Sequence, residues 1–149
     1  MDSPPSPPIG LALSRAAKIV GRAFDECLSA AGGSLPTWLI MISLKTHRLG
    51  NQRELAAAVG IEGATLTHHL NAMETKGLVT RRRDPANRRI HVVELTDEGE
   101  RLFHRLRAAA QAHDERLRTG LTPADLTTLT HVLTQMTHNV AADDGGPDA

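Results

Sequence analysis

The stretch NQRELAAAVGIEGATLTHHLNAMETKGLVTRRRDPANRRIHVVELTDEG, residues 51–99, decides the fold. Asn51 is a good helix N-cap, and Glu54 follows three residues later as in a capping box. Leu55, Ala56 and Val59 give this short helix one packing face, and Gly60 ends it. A further helix is expected over residues 62–76, stopped at Gly77. Two helices of this length joined by three or four residues around a glycine form a helix-turn-helix. Beyond Gly77 the period changes. Residues 78–83 and 90–95 read as strands, the second with β-branched Ile90, Val92 and Val93. The link Asp84-Pro85-Ala86-Asn87-Arg88-Arg89 begins as a turn. A β-hairpin with an arginine-rich tip therefore follows the helix-turn-helix directly.

A wheel count at 100° per residue divides the second helix of the pair. Leu66, Leu70 and Met73 fall in one narrow arc and face the core. The other side presents Ala64, Thr65, Thr67, His68, Asn71 and Thr75, short or planar hydrogen-bonding residues free of large hydrophobes. Such a face suits the major groove, where Asn can read adenine bidentately and Thr or His can meet base edges or phosphates. The bland alternative is an ordinary polar helix surface. The hairpin speaks against it, because Arg81, Arg82, Arg83, Arg88 and Arg89 would reach the DNA backbone and minor groove beside that helix. For the hairpin itself the alternative is an edge strand protected by charge.

Outward from this centre the chain is helical. Over residues 9–31, Leu13, Ala16, Ala17, Val20, Phe24, Cys27 and Leu28 recur at three- and four-residue spacing, an amphipathic helix stopped by Gly32-Gly33. Pro36 opens another, and its segment WLIMISL, residues 38–44, expects burial nearly all round. Downstream, Thr96 caps a long helix with Asp97 and Glu98 in its first turn, as the helix dipole favours. Thr122-Pro123-Ala124-Asp125 starts the last helix, which sets Leu126, Leu129, Leu133 and Met136 on one face. These outer helices have apolar surface and no sheet to cover, so pairing with a second copy is the simplest solution. The expected fold is mainly α with a small β-hairpin wing: a winged helix-turn-helix over residues 35–95, with dimerisation helices at 9–34 and 96–140. Residues 1–8 and 141–149, rich in Pro and Ser or in small and acidic residues, are expected as disordered tails.

Global charge names no partner, with 17 Lys+Arg against 17 Asp+Glu. Its distribution is more informative. Lys76 and the five hairpin arginines stand against only Glu62, Glu74 and Asp84 within residues 62–91, whereas residues 92–149 are predominantly acidic. That is the pattern of a localised polyanion site. One cysteine permits no intramolecular disulfide and fits a reducing compartment. The start MDSPPSPPIG lacks the basic residues and apolar run of a signal peptide, and no stretch approaches a membrane span, so a cytoplasmic protein is expected. There is no Gly-rich phosphate loop and no nucleophile with an evident base, so an enzyme is not expected. His131 and His138 share a helix face, but no Cys or carboxylate completes a zinc set, so neither a metal nor a cofactor is expected.

The motifs in residues 55–99 resemble the MarR family of winged helix-turn-helix transcription regulators. The resemblance is carried by the helix exit Met73-Glu74-Thr75-Lys76-Gly77-Leu78-Val79, the wing Asp84-Pro85-Ala86-Asn87-Arg88-Arg89 and the helix start Leu95-Thr96-Asp97-Glu98-Gly99. Three positions depart from the pattern. Asn87 stands for the usual second wing aspartate, Glu62-Gly63 for a Ser/Thr cap and Pro, and Met73 for leucine. The resemblance implies a homodimer that binds an inverted repeat in double-stranded DNA, usually as a repressor released by a small aromatic or phenolic effector. It places the effector between the dimerisation helices and the DNA-binding lobe, a region that here would draw on Ile9, Leu13, Phe24, Trp38, Ile42 and His47. Some relatives sense oxidants through a cysteine near the start of the first helix; Cys27 lies near its end, which favours a buried inert thiol. Two alternatives stand beside this reading: a winged-helix module that binds protein, and a redox- or metal-sensing regulator of the same fold. The first would want more aromatic anchors than two Phe and one Trp.

Overall fold

The computed structural model describes residues 6–46, 51–89 and 91–141. The tail segments 1–5 and 142–149, together with His47 and Ile90, lie outside them. Among the described residues, six helices and a two-stranded antiparallel sheet follow in the order α1 (Ile9–Ala30), α2 (Leu35–Thr46), α3 (Gln52–Val59), α4 (Gly63–Thr75), β1 (Val79–Arg83), β2 (His91–Leu95), α5 (Asp97–Arg118) and α6 (Pro123–Ala141). This is the mainly α, hairpin-bearing class the sequence indicates. The chain divides into two compact units, residues 1–113 and 114–149.

The first unit is built around α2. Its apolar run has no exposed member between Trp38 and Leu44, and Ile40 and Met41 are wholly buried. α2 packs against α1, α3, α4 and β2, so one continuous apolar helix serves as the axle of the lobe. Leu55, Leu66, Leu70, Met73, Val79, Leu102 and Leu106 close around it. Trp38 stacks on Phe103 with ring centroids 5.7 Å apart, and Lys45 pairs with Glu100 at 2.9 Å, fixing both ends of α2 to α5.

Local signals set each boundary. Asn51 Oδ1 accepts the Glu54 N–H at 2.9 Å, and the helix it caps ends at Gly60. α4 ends where Gly77 takes φ +73°, a left-handed conformation that lets the Leu78 N–H reach the Met73 carbonyl. That bond holds Leu78 in the turn, which is why β1 begins at Val79 rather than at 78. The hairpin registers Val79 with Leu95, Arg81 with Val93 and Arg83 with His91.

α1 meets the sequence reading only in its last turns. Leu28 is buried, Phe24 and Cys27 are half-buried, and Phe24 stacks on His113 at 5.0 Å. The expected packing residues Leu13, Ala16, Ala17 and Val20 are exposed instead, as are Ile9 at 68 % and Ile19 at 71 %. The periodicity correctly marks an apolar face, but nothing among the described residues buries its first half. In the second unit, α6 starts with a reciprocal cap: the Asp125 N–H bonds to Thr122 Oγ1 at 3.1 Å and the Thr122 N–H to Asp125 Oδ2 at 2.8 Å. α6 has no buried residue, and Leu129 is 51 % and Val140 70 % exposed.

Candidate nucleic-acid interface

α4 turns Leu66, Leu70 and Met73 into the core and leaves Ala64, Thr65, Thr67, His68, Asn71 and Thr75 exposed. Thus all six recognition-helix candidates share the outer surface. Thr67 and Thr75 spend their hydroxyl protons on the carbonyls of Gly63 and Asn71, one turn back, which leaves their oxygens as acceptors. Glu62 caps the helix through backbone geometry alone, with no side-chain hydrogen bond, as expected where a Ser or Thr is missing. His69, adjacent to His68, faces away from the group and is half-buried.

The wing is mounted rigidly beside α4. Thr96 donates to the Gly77 carbonyl at 2.5 Å and accepts the Gly99 N–H at 3.0 Å, while its own N–H bonds to the Leu78 carbonyl at 3.0 Å. Gly99 permits that approach, since a Cβ there would sit 2.0 Å from the Leu78 carbonyl oxygen. One latch therefore ties the end of α4, the hairpin and the start of α5. At the tip, Asp84 Oδ1 accepts the Ala86 N–H at 2.8 Å and Asn87 Oδ1 accepts the Arg89 N–H at 3.2 Å. The asparagine that departs from the family pattern still supplies the turn acceptor.

The five arginines divide by function. Arg88, Arg89 and Arg83 are exposed and form no ion pair among the described residues, so three cations stand unneutralised along the wing. Arg82 pairs with Glu94 on the same face of the hairpin at 2.9 Å. The bond and charge of that partner raise the Arg82 pKa and hold the Glu94 carboxyl below its ordinary value. Arg81 points the other way, onto α4, where it donates to Glu74 Oε2 at 2.6 Å and to Asn71 Oδ1. The sequence places Arg81 with the other wing arginines, but the strand's alternation turns it inward beside Val93. Glu74 enters the sequence reading only as a charge and as part of the helix exit, not as a partner of Arg81; the signal for it was its position three residues after Asn71 on the same helix face.

The six residues suggested for an effector are not gathered in one cavity of the described chain. Ile9 and Leu13 stand exposed on the first turns of α1, Phe24, Trp38 and Ile42 pack into the core, and His47 lies outside the described residues. Ile9 and Phe24 are fifteen residues apart on one helix, roughly 22 Å at the α-helical rise. A different cavity of about 180 Å³ lies between the α1–α2 turn and α4, lined by Thr37, His69, Met73, Lys76 and Leu102 among others. No three His, Cys, Asp or Glu side chains cluster for a metal among the described residues, and His131 and His138 are exposed on α6. No single described helix is long and apolar enough to cross a membrane.

With this geometry in place, comparison with known proteins is decisive. The sequence profile of the MarR family matches residues 34–91, which hold α2, α3, α4 and the first strand and tip of the hairpin. A solved chain of the transcriptional repressor CouR, bound to a 23-mer DNA duplex, is 30 % identical over 87 % of this chain and 92 % of its own, with a TM-score of 0.77. This chain belongs to the MarR family. CouR from Rhodococcus jostii RHA1 bound to p-coumaroyl-CoA is similar at 26 % identity, covering 95 % of this chain and 94 % of that one, with a TM-score of 0.68. The uncharacterised HTH-type transcriptional regulator YdgJ of Bacillus subtilis (strain 168) is 28 % identical over 123 residues, 83 % of this chain and 73 % of that protein. These MarR-type relatives are transcriptional regulators, and the chain shares their winged-helix fold and DNA-binding class.

Proposed function

We propose that this MarR-family regulator binds an inverted repeat in double-stranded DNA as a homodimer, works in the cytoplasm as a repressor, and is released by a small aromatic effector. The observation that carries the proposal is the pairing of a polar recognition face with an unneutralised wing. Ala64, Thr65, Thr67, His68, Asn71 and Thr75 are presented together on α4, and Arg83, Arg88 and Arg89 stand exposed on the wing with no acidic partner among the described residues. α4 would enter the major groove, and the wing arginines would hold phosphates and the flanking minor groove.

The exposed apolar faces of α1 and α6 support the homodimer, because soluble monomers rarely leave such surfaces open. The proposed arrangement keeps residues 35–95 for DNA and gives 9–34 and 96–140 to dimerisation. The likeness to CouR, described bound to p-coumaroyl-CoA, supports an effector with an aromatic part. Because Ile9 and Leu13 lie far along α1 from Phe24, Trp38 and Ile42, a cleft that used all of them would close only across two copies.

Binding selection from random duplex DNA tests the proposal. An enriched inverted repeat with half-sites about 10 base pairs apart, retained less at higher salt, is expected. Weak, salt-independent retention with no enriched sequence would point instead to a protein-binding winged helix.

A further inference from the structure

We infer that Arg81 and Glu74 fix the side chain of Asn71 so that it reads DNA as a hydrogen-bond donor, selecting guanine over adenine. The inference rests on α4 being the recognition helix. An asparagine in that position is ordinarily free to pair adenine through both its atoms, accepting from N6 and donating to N7. Here its carbonyl is already engaged. Arg81, set on β1 by its register with Val93, donates one guanidinium nitrogen to Glu74 Oε2 at 2.6 Å and another to Asn71 Oδ1.

Arginine has only donors, so the Asn71 atom facing it must be the oxygen, and the amide nitrogen is turned the other way. Asn71 and Glu74 lie one turn apart on the same helix face, and the Arg81 side chain is only 19 % exposed, so the clamp is partly shielded from water. A base amino group approaching that oxygen would have to share it with a cation. The same cation polarises the amide and makes its N–H groups better donors. Guanine gains, since O6 and N7 are both acceptors, whereas adenine offers N7 beside an amino group that would meet the occupied oxygen. Arg81 is thus a positioning residue, acting on bases through Asn71.

The test is binding selection repeated with Asn71→Ala, Arg81→Met and Glu74→Gln, the fold of each checked by circular dichroism. The base pair whose preference vanishes in Asn71→Ala marks the position Asn71 reads. In the unaltered protein that position should be a G·C pair. In Arg81→Met it should shift toward adenine by about tenfold, the scale of one bidentate base contact, with other positions unchanged. Glu74→Gln, which loosens Arg81 without removing it, should shift it less in the same direction. An A·T pair at that position in the unaltered protein, an unchanged preference in a folded Arg81→Met, or no position that depends on Asn71 would each overturn the inference. If Arg81→Met does not fold, the base selected by the unaltered protein and the Glu74→Gln shift still decide. No enriched sequence for the unaltered protein would remove the DNA-binding reading itself, a different failure from a wrong base at one position.

Discussion

Arg88 and Arg89 form no ion pair among the described residues, and a cation in that state contributes to polyanion binding without regard to sequence. Arg89→Ala, and to a lesser degree Arg88→Ala, should weaken binding to specific and random duplexes alike. Each lost phosphate contact should lower the slope of log affinity against log salt by about 1, read by fluorescence anisotropy. His68→Ala should instead change which sites are preferred. Equal losses on all duplexes for His68→Ala would contradict this division of roles. A second residue-scale prediction concerns Gly99. Its Cβ would meet the Leu78 carbonyl oxygen at 2.0 Å, backbone that cannot swing aside as a side chain can. Gly99→Ala should therefore cost about 1–3 kcal/mol or more in urea unfolding. Unchanged stability would show that the latch is looser than its geometry indicates. Which residues face outward from α4 was legible in the sequence, because a helix wheel needs only spacing. Where Arg81 goes was not, because its partners come from another element.

At the scale of elements, the helix-turn-helix and hairpin were readable because their stop signals are local: Asn51, Gly60, Gly77 and Thr96 act within a few residues of themselves. Removing one such signal should have a local cost. Asn51→Ala deprives α3 of its cap and should cost about 0.5–2 kcal/mol by thermal or urea unfolding, while leaving the helices of the second unit intact. The start of α6 adds a pH dependence. The Thr122 backbone N–H, then its hydroxyl, hold the Asp125 carboxyl below its ordinary pKa. A depressed carboxylate stabilises the folded helix above its unfolded pKa and loses that contribution as pH falls through the folded one. Amide exchange in the first turn of α6 should therefore quicken on the acid side of an ordinary aspartate, and Asp125→Asn should abolish that pH step. A step that survives in Asp125→Asn would assign it to another group.

At the scale of the whole molecule, the sequence showed that α1 and α6 carry apolar faces, but not that these faces stand exposed among the described residues. Periodicity reports that a face is buried somewhere, not whether its cover lies in the same chain. Ile19 and Leu129 are well exposed here, so Ile19→Glu or Leu129→Glu should leave the core of residues 1–113 folded while shifting a sedimenting dimer to monomer. Monomers should also bind DNA far more weakly, since two half-sites on one duplex reinforce each other. The most direct measurement is the stoichiometry of the protein on its selected duplex as the half-site spacing is varied, read by sedimentation velocity. The expected result is two protomers per duplex, with tight binding near a 10-base-pair spacing and sharp loss at 13 or so. One protomer per duplex, or occupancy indifferent to spacing, would contradict a dimeric winged-helix reader of inverted repeats.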